Sequence, residues 1–249
     1  YELVKKFTKR LAEGRCRNKL TLAFLVIQET MLMKTSIKLV TVAILMAAVP
    51  ATRADVTGKV TLKGTPPAEK EITPATKDPN CGKMHAKAPT TRHYVVGADK
   101  GLGNVFVYVK GGLEGKSFTP PADKPVMDQV ACLYEPYVLG AMAGQTVQIR
   151  NSDPLMHNVN FAASKSGNPT FNFAQATKGQ VNEKTFPKPE IFVKLQCNVH
   201  PWMFGYIGVA DSPYWAVTDK DGQFTIKGLP DGKYTLAFVH LKAGEVTQS

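Results

Sequence analysis

The sequence predicts an all-β chain of sandwich type, and three observations carry that reading. Apolar and polar residues alternate over short runs bounded by Gly, Pro, Asn and Asp. Two turn clusters, Asp219-Lys220-Asp221-Gly222 and Pro230-Asp231-Gly232, punctuate the last apolar runs. No stretch of the body sustains a helical period with caps.

Taken in order, Val56 to Leu62 alternates and stops at Gly64-Thr65-Pro66-Pro67. Residues 68–100 are polar, with Pro79, Gly82 and Pro89, and read as loop. Val105-Phe106-Val107-Tyr108-Val109 is apolar on both faces, as a central strand requires. Gly111-Gly112 and Pro120-Pro121 then break the chain. Val147 and Ile149 alternate with Gln148 and Arg150, and Ile191, Val193, Leu195 and Cys197 share one parity. Phe224 with Ile226, then Tyr234, Leu236 and Phe238, read as the two strands of a hairpin. A last strand begins at Gly244.

The chain has 249 residues and a formal charge of +11, but residues 1–54 hold ten Lys/Arg against three Asp/Glu. The body is therefore only mildly basic and shows no basic groove with interleaved aromatics, which excludes nucleic acid as a partner. The basic excess belongs to a leader. Met33-Lys34-Thr35-Ser36-Ile37-Lys38 precedes thirteen uncharged residues, Leu39 to Ala51, and small residues then allow a cut after Ala51 or Ala54. Thirteen helical residues reach about 20 Å, short of a hydrocarbon layer of about 30 Å. Residues 33–54 thus read as a signal peptide, giving a periplasmic or secreted protein with no stable membrane span in the mature chain. Residues 1–30 read as an upstream extension.

Cys16 lies in that extension, so the exported body has three cysteines, Cys81, Cys132 and Cys197. An odd count in an oxidising compartment leaves one thiol without an internal partner, and a metal would occupy it. Cys81 either pairs with Cys132 or joins Met84 and His85 in a second, labile copper site; the pairing leaves Cys197 free. His93 carries no pattern, and His240 shares a strand face with Leu236 and Phe238, as a core or edge histidine would.

Chemistry concentrates in Cys197-Asn198-Val199-His200-Pro201-Trp202-Met203, forty residues after His157. Two imidazoles, a thiolate and a thioether make the donor set of one type 1 copper ion, a His2Cys trigon with a weak axial Met. The thiolate supplies a covalent path for an electron, the imidazoles suit both oxidation states, and the thioether favours Cu(I). His157 shares parity with Val159 and Phe161, so both it and Cys197 can face an apolar interior. Asn158 reads as a residue orienting the site from behind the ligands. Pro201 and Trp202 would rim His200 where a redox partner docks. A structural zinc would show paired ligands, and none are visible. No Gly-x-Ser-x-Gly elbow or carboxylate pair argues for hydrolysis, so the chain is expected not to be an enzyme.

These residues resemble the cupredoxins, the small blue copper proteins of amicyanin and plastocyanin type. Tyr134-x-Pro136-x-x-Leu139, Ala143-Gly144-Gln145-Thr146-Val147 and Asn151 are similar to their opening strands, His157-Asn158-Val159 to their first-ligand motif, and Thr185-Phe186 with Pro189 to the strand before the cysteine. The resemblance implies a Greek-key β-sandwich over residues 119–212. It implies copper ligation by His157, Cys197, His200 and Met203, with Asn158 bracing the cysteine, and single-electron exchange with a dehydrogenase or c-type cytochrome. The stretch Val217-Thr218-Asp219-x-x-Gly222-x-Phe224-x-Ile226-x-Gly228-Leu229-Pro230 resembles a carboxypeptidase regulatory-like, transthyretin-type sandwich. That implies a discontinuous host of residues 55–118 and 213–249. A host of that kind keeps open an alternative function: copper storage, or an interaction module whose metal is not redox-cycled.

Overall fold

The computed structural model describes residues 2–6 and 53–249. Most of the upstream extension and residues 33–52 of the expected signal peptide lie outside the described residues, while its last two, Arg53 and Ala54, begin the strand Arg53–Lys63. The strands are β1 (Glu2–Lys6), β2 (Arg53–Lys63), β3 (Phe106–Gly111), β4 (Val126–Val130), β5 (Leu133–Glu135), β6 (Val138–Met142), β7 (Thr146–Asn151) and β8 (His157–Phe161). They continue as β9 (Phe171–Gln175), β10 (Val181–Thr185), β11 (Glu190–Gln196), β12 (Phe204–Ala210), β13 (Trp215–Val217), β14 (Gln223–Pro230), β15 (Thr235–His240) and β16 (Gly244–Gln248). The one α-helix among the described residues, α1 (Thr73–Lys77), is a five-residue turn with a proline in its first turn, inside the stretch read as loop. The fold is all-β, as the alternation requires.

Four sheets enclose two separate cores. One core lies between the sheets β10-β7-β4-β5 and β6-β12-β11-β8-β9, where Met127, Tyr134, Ile149, Val159, Leu195 and Ile207 meet. The other lies between β1-β2-β14 and β13-β3-β15-β16, built on Val60, Leu62, Val107, Ile226 and Phe238. The chain forms β2 and β3, leaves for β4 to β12, and returns for β13 to β16. The two sandwiches press on each other where side chains are missing. A Cβ at Gly140 would lie 2.0 Å from the Trp215 ring, and one at Gly208 would lie 2.6 Å from Phe106.

One expectation is corrected. The strands carrying Phe224 and Phe238 do not pair as a hairpin: β14 pairs with β2, and β15 pairs with β3 and β16. The turn at Pro230-Asp231-Gly232 carries the chain from one sheet to the facing one. Both strands bury a full apolar face, and pairing side by side would leave those faces without a cover. Across the sandwich Phe224 and Phe238 meet edge to face at 5.7 Å. The true hairpin is β15 with β16.

Candidate metal centre

The site stands at one end of the first core, where β8 begins and β11 ends. His157, Val159 and Phe161 are buried on one face of β8 while Asn158 and Asn160 point outward. On β11 a bulge between Glu190 and Val193 shifts the register, after which Val193, Leu195 and Cys197 all face the core. A tight turn follows. Met203 donates its N–H to the His200 carbonyl at 2.8 Å, and its own carbonyl accepts the Cys197 N–H at 2.9 Å. These two bonds fold His200 back over Cys197 and bury Met203 in the same core.

The donors converge. His157 Nδ1 and His200 Nδ1 lie 3.1 Å apart, and Cys197 Sγ is 3.6 Å from His200 Nδ1. His157, Cys197 and His200 are all buried, and one ligand atom from each falls within 4.8 Å of the others. Asn158 acts through both backbone and side chain. Its N–H donates to Cys197 Sγ at 3.3 Å, and its Oδ1 accepts the Asn198 N–H at 3.2 Å. Pro201 is exposed and Trp202 half-buried beside His200, with ring centroids 5.2 Å apart.

Asp153 is the residue that sequence reasoning missed. It sits four positions before His157, and a carboxylate one short loop ahead of a candidate metal histidine was the available signal. Its Oδ2 accepts from His157 Nε2 at 2.8 Å. A carboxylate without a proton can only accept, so Nε2 carries the hydrogen and Nδ1 is left to face Cys197 and His200. The same carboxylate accepts the N–H groups of Ala131 at 2.6 Å and Cys132 at 2.8 Å. Those two residues form the β4–β5 turn with φ of 50° and 56°, a left-handed conformation that ordinarily calls for glycine or asparagine. Asp153 thus holds a strained turn and a candidate ligand together.

Burial raises the Cys197 thiol, but hydrogen bonds to His157, His200 and the Asn158 amide outweigh it, leaving the pKa lowered to about 5. Burial opposes charge on His157 as well, yet its bonds to Asp153 and Cys197 hold its pKa above the ordinary value. For Asp153, burial is outweighed by the bonds from His157 and the two amides, which keep the carboxyl below its usual range. A thiolate enclosed in protein requires a cation at its side. A protonated imidazole can serve, and a metal ion competes with that proton for the same lone pair. The residues present therefore fit a soft cation held by two imidazoles and a thiolate.

Cys81 and Cys132, fifty-one positions apart in sequence, form a disulfide with Cα atoms 5.7 Å apart. Cys197 is the free cysteine among the described residues. The disulfide closes residues 81–132 onto the site, and His200 is left 5% exposed. His85, four residues from Cys81, is half-buried and stands outside these donor groups, its Nε2 without a hydrogen-bond partner. His240 is a core histidine whose Nδ1 accepts the N–H groups of Lys242 and Ala243.

A buried His2Cys donor group at the end of a β-sandwich defines the site, and part of the chain is similar to solved structures. A Cu-containing nitrite reductase from Thermus scotoductus is 25% identical over 41% of this chain and 25% of its own, with a TM-score of 0.32. A purple cupredoxin from Nitrosopumilus maritimus is 23% identical over 35% of this chain and all of its own, with a TM-score of 0.30. A mutant amicyanin is 24% identical over 41% of this chain and 97% of its own, with a TM-score of 0.32. The chain thus spans about a quarter of the nitrite reductase. No protein-family profile matches the chain, and no curated protein matches it.

Proposed function

We propose that this chain is an exported type 1 copper protein that carries single electrons and catalyses no reaction of its own. The observation that carries the reading is the meeting of His157 Nδ1, His200 Nδ1 and Cys197 Sγ in a buried pocket. His157, Cys197 and His200 would hold the ion, with Met203 as the weak fourth donor. When bound, copper supplies a one-electron couple at a potential that the thioether raises. The chain's own residues do the rest. Asp153 fixes the His157 tautomer, and the Asn158 N–H withdraws charge from the sulfur. The surrounding core excludes water, and the disulfide and the Met203 turn restrain His200, so that little rearranges as the charge changes.

Residues 119–212 would be the copper-bearing unit, and residues 55–118 with 213–249 a carboxypeptidase regulatory-like host. The two separate cores support this division. The leader at 33–54 would direct the chain to the periplasm or outside the cell. No helix among the described residues is long and apolar enough to cross a membrane. A dehydrogenase or c-type cytochrome would dock near His200, Pro201 and Trp202.

Burial of His200 favours a second reading, in which copper is stored or serves structure and is not cycled. Visible absorption of the full chain titrated with Cu(II) separates the possibilities. An electron carrier gives an intense thiolate-to-copper band that bleaches with ascorbate, returns with an oxidant and vanishes in Cys197→Ser. A band that bleaches with loss of the metal selects storage. A band unchanged in Cys197→Ser overturns the ligand assignment.

A further inference from the structure

The same end of the sandwich contains a second donor group. Cys81 Sγ, Cys132 Sγ and a ring nitrogen of His200 lie within 4.8 Å of one another. Both cysteines are fully buried and His200 is nearly so. Cys132 Sγ also lies within 4.8 Å of ligand atoms of Asp153 and His157. Met84, from the turn that follows Cys81, is partly buried and packs against the core that holds Cys81 and Cys132. A disulfide has no pair of thiolates to offer a cation. Its dithiol form offers two, beside an imidazole and away from water, which suits Zn(II) or Cu(I). Two sulfurs bound tetrahedrally to one ion at about 2.3 Å each stand about 3.8 Å apart.

We propose that Cys81 and Cys132, in the dithiol state, bind a soft metal ion together with His200, and that forming their disulfide expels it. His200 is shared, so the two donor groups compete. While the dithiol holds an ion, His200 is drawn from Cys197 and His157. Once the disulfide forms, it is returned to them. The disulfide thereby sets an order of assembly, with the oxidised pair preceding metal at Cys197. The exchange balances with a small-molecule disulfide as oxidant. The two thiolates give up two electrons and become Cys81–Cys132, the oxidant's S–S bond breaks into two thiolates, and the metal ion leaves unchanged in charge.

The test uses the full chain with Cys16→Ser and Cys197→Ser, which leaves Cys81 and Cys132 as its cysteines, and Co(II) as the probe. It is independent of the copper reading, because Cys197 is absent. The oxidised protein should give no thiolate-to-cobalt absorption. After reduction with a phosphine it should take up one equivalent with a two-thiolate band, and oxidised glutathione should abolish the band and release the ion. Adding His200→Ala should weaken binding tenfold or more. The proposal is overturned by a band in the oxidised protein, by no uptake after reduction, or by a band indifferent to His200→Ala. It is equally overturned if circular dichroism shows the reduced, Co(II)-binding chain to be unfolded, since binding would then be chelation by loose chain.

Discussion

Between β2 and β14 on one side and β3 and β15 on the other, the buried side chains are almost wholly apolar, with Thr218 and His240 as the polar members. The sandwich of β4 to β12 buries Gln129, Asn151, Asp153, His157, Gln175, Glu190 and His200 beside its aliphatics. Buried polar groups cost stability unless each finds a partner. Gln129 Oε1 is left without a partner, but the others are held, and their partners lead to the site. Gln175 Nε2 donates to the Ile149 carbonyl at 2.8 Å and to Asn182 Oδ1 at 3.0 Å. Asn151 Nδ2 donates to the Leu155 carbonyl at 2.8 Å, while Asn151 Oδ1 accepts the Asp153 N–H at 3.0 Å. The loop from Asn151 to His157 is thereby fixed from within. One sandwich packs an almost wholly apolar interior with few buried side-chain hydrogen bonds, those of Thr218 and His240 among them, and the other spends many on aiming donor atoms.

The comparison breaks most sharply at the apolar core. Phe238→Ala, which empties the space facing Phe224, should cost about 3–5 kcal/mol in denaturant unfolding. The folded fraction should still bind metal at Cys197; loss of that binding in protein that remains folded would show the two sandwiches to be one functional unit.

Acid gives the next largest effect. Burial pushes the His240 pKa down from 6.5 to about 4, against the pull of Glu69. The Lys242 and Ala243 amides donate to its Nδ1, and the Tyr94 ring lies 5.4 Å away. The folded state binds this proton more weakly than the unfolded state, so the stabilisation is complete above pH 6.5. It is lost as pH falls from 6.5 toward 4, by up to about 3 kcal/mol. Unfolding measured at pH 7 and pH 4.5 should differ by less in His240→Gln than in the parent.

Asp153→Asn sharpens the contrast from the other side. One amide oxygen cannot replace two carboxylate oxygens for three donors, so copper affinity by chelator competition should fall 10- to 100-fold. The core built on Val60, Leu62 and Phe238 should keep its hydrogen-exchange protection. Unchanged affinity would remove Asp153 from the site.

The smallest effect belongs to the surface. Lys124 Nζ lies 2.8 Å from Glu183 Oε1, both about half exposed. Lys124→Ala should change stability by less than about 1 kcal/mol, and by less still in high salt. A larger loss would mean that the edge strand β10 supports the donor network.

The strands near 56–62, 105–109, 147–149 and 191–195 were legible because each alternates or is apolar on both faces. The residues that meet at the site were legible as types: a free thiol by parity of count, and imidazoles near strand ends. Asp153 was not, because its role depends on the turn at Ala131 and Cys132, 22 and 21 positions earlier, whose N–H groups it accepts. The β14–β15 relation was misread because a Pro-Asp-Gly turn serves a hairpin or a crossing between sheets equally well.

The sequence by itself determined that the chain is β-structured, which face of each strand is apolar, and which donor types lie close along the chain. Local sterics and side-chain period encode these directly. Only the tertiary structure decided that His157 and His200 present Nδ1 to each other, that Asp153 fixes the tautomer, and that a disulfide closes against His200. Each of these needs groups distant in sequence to arrive within a few ångströms. That proximity comes from the pairing of strands and the closure of a common core, which no local pattern records.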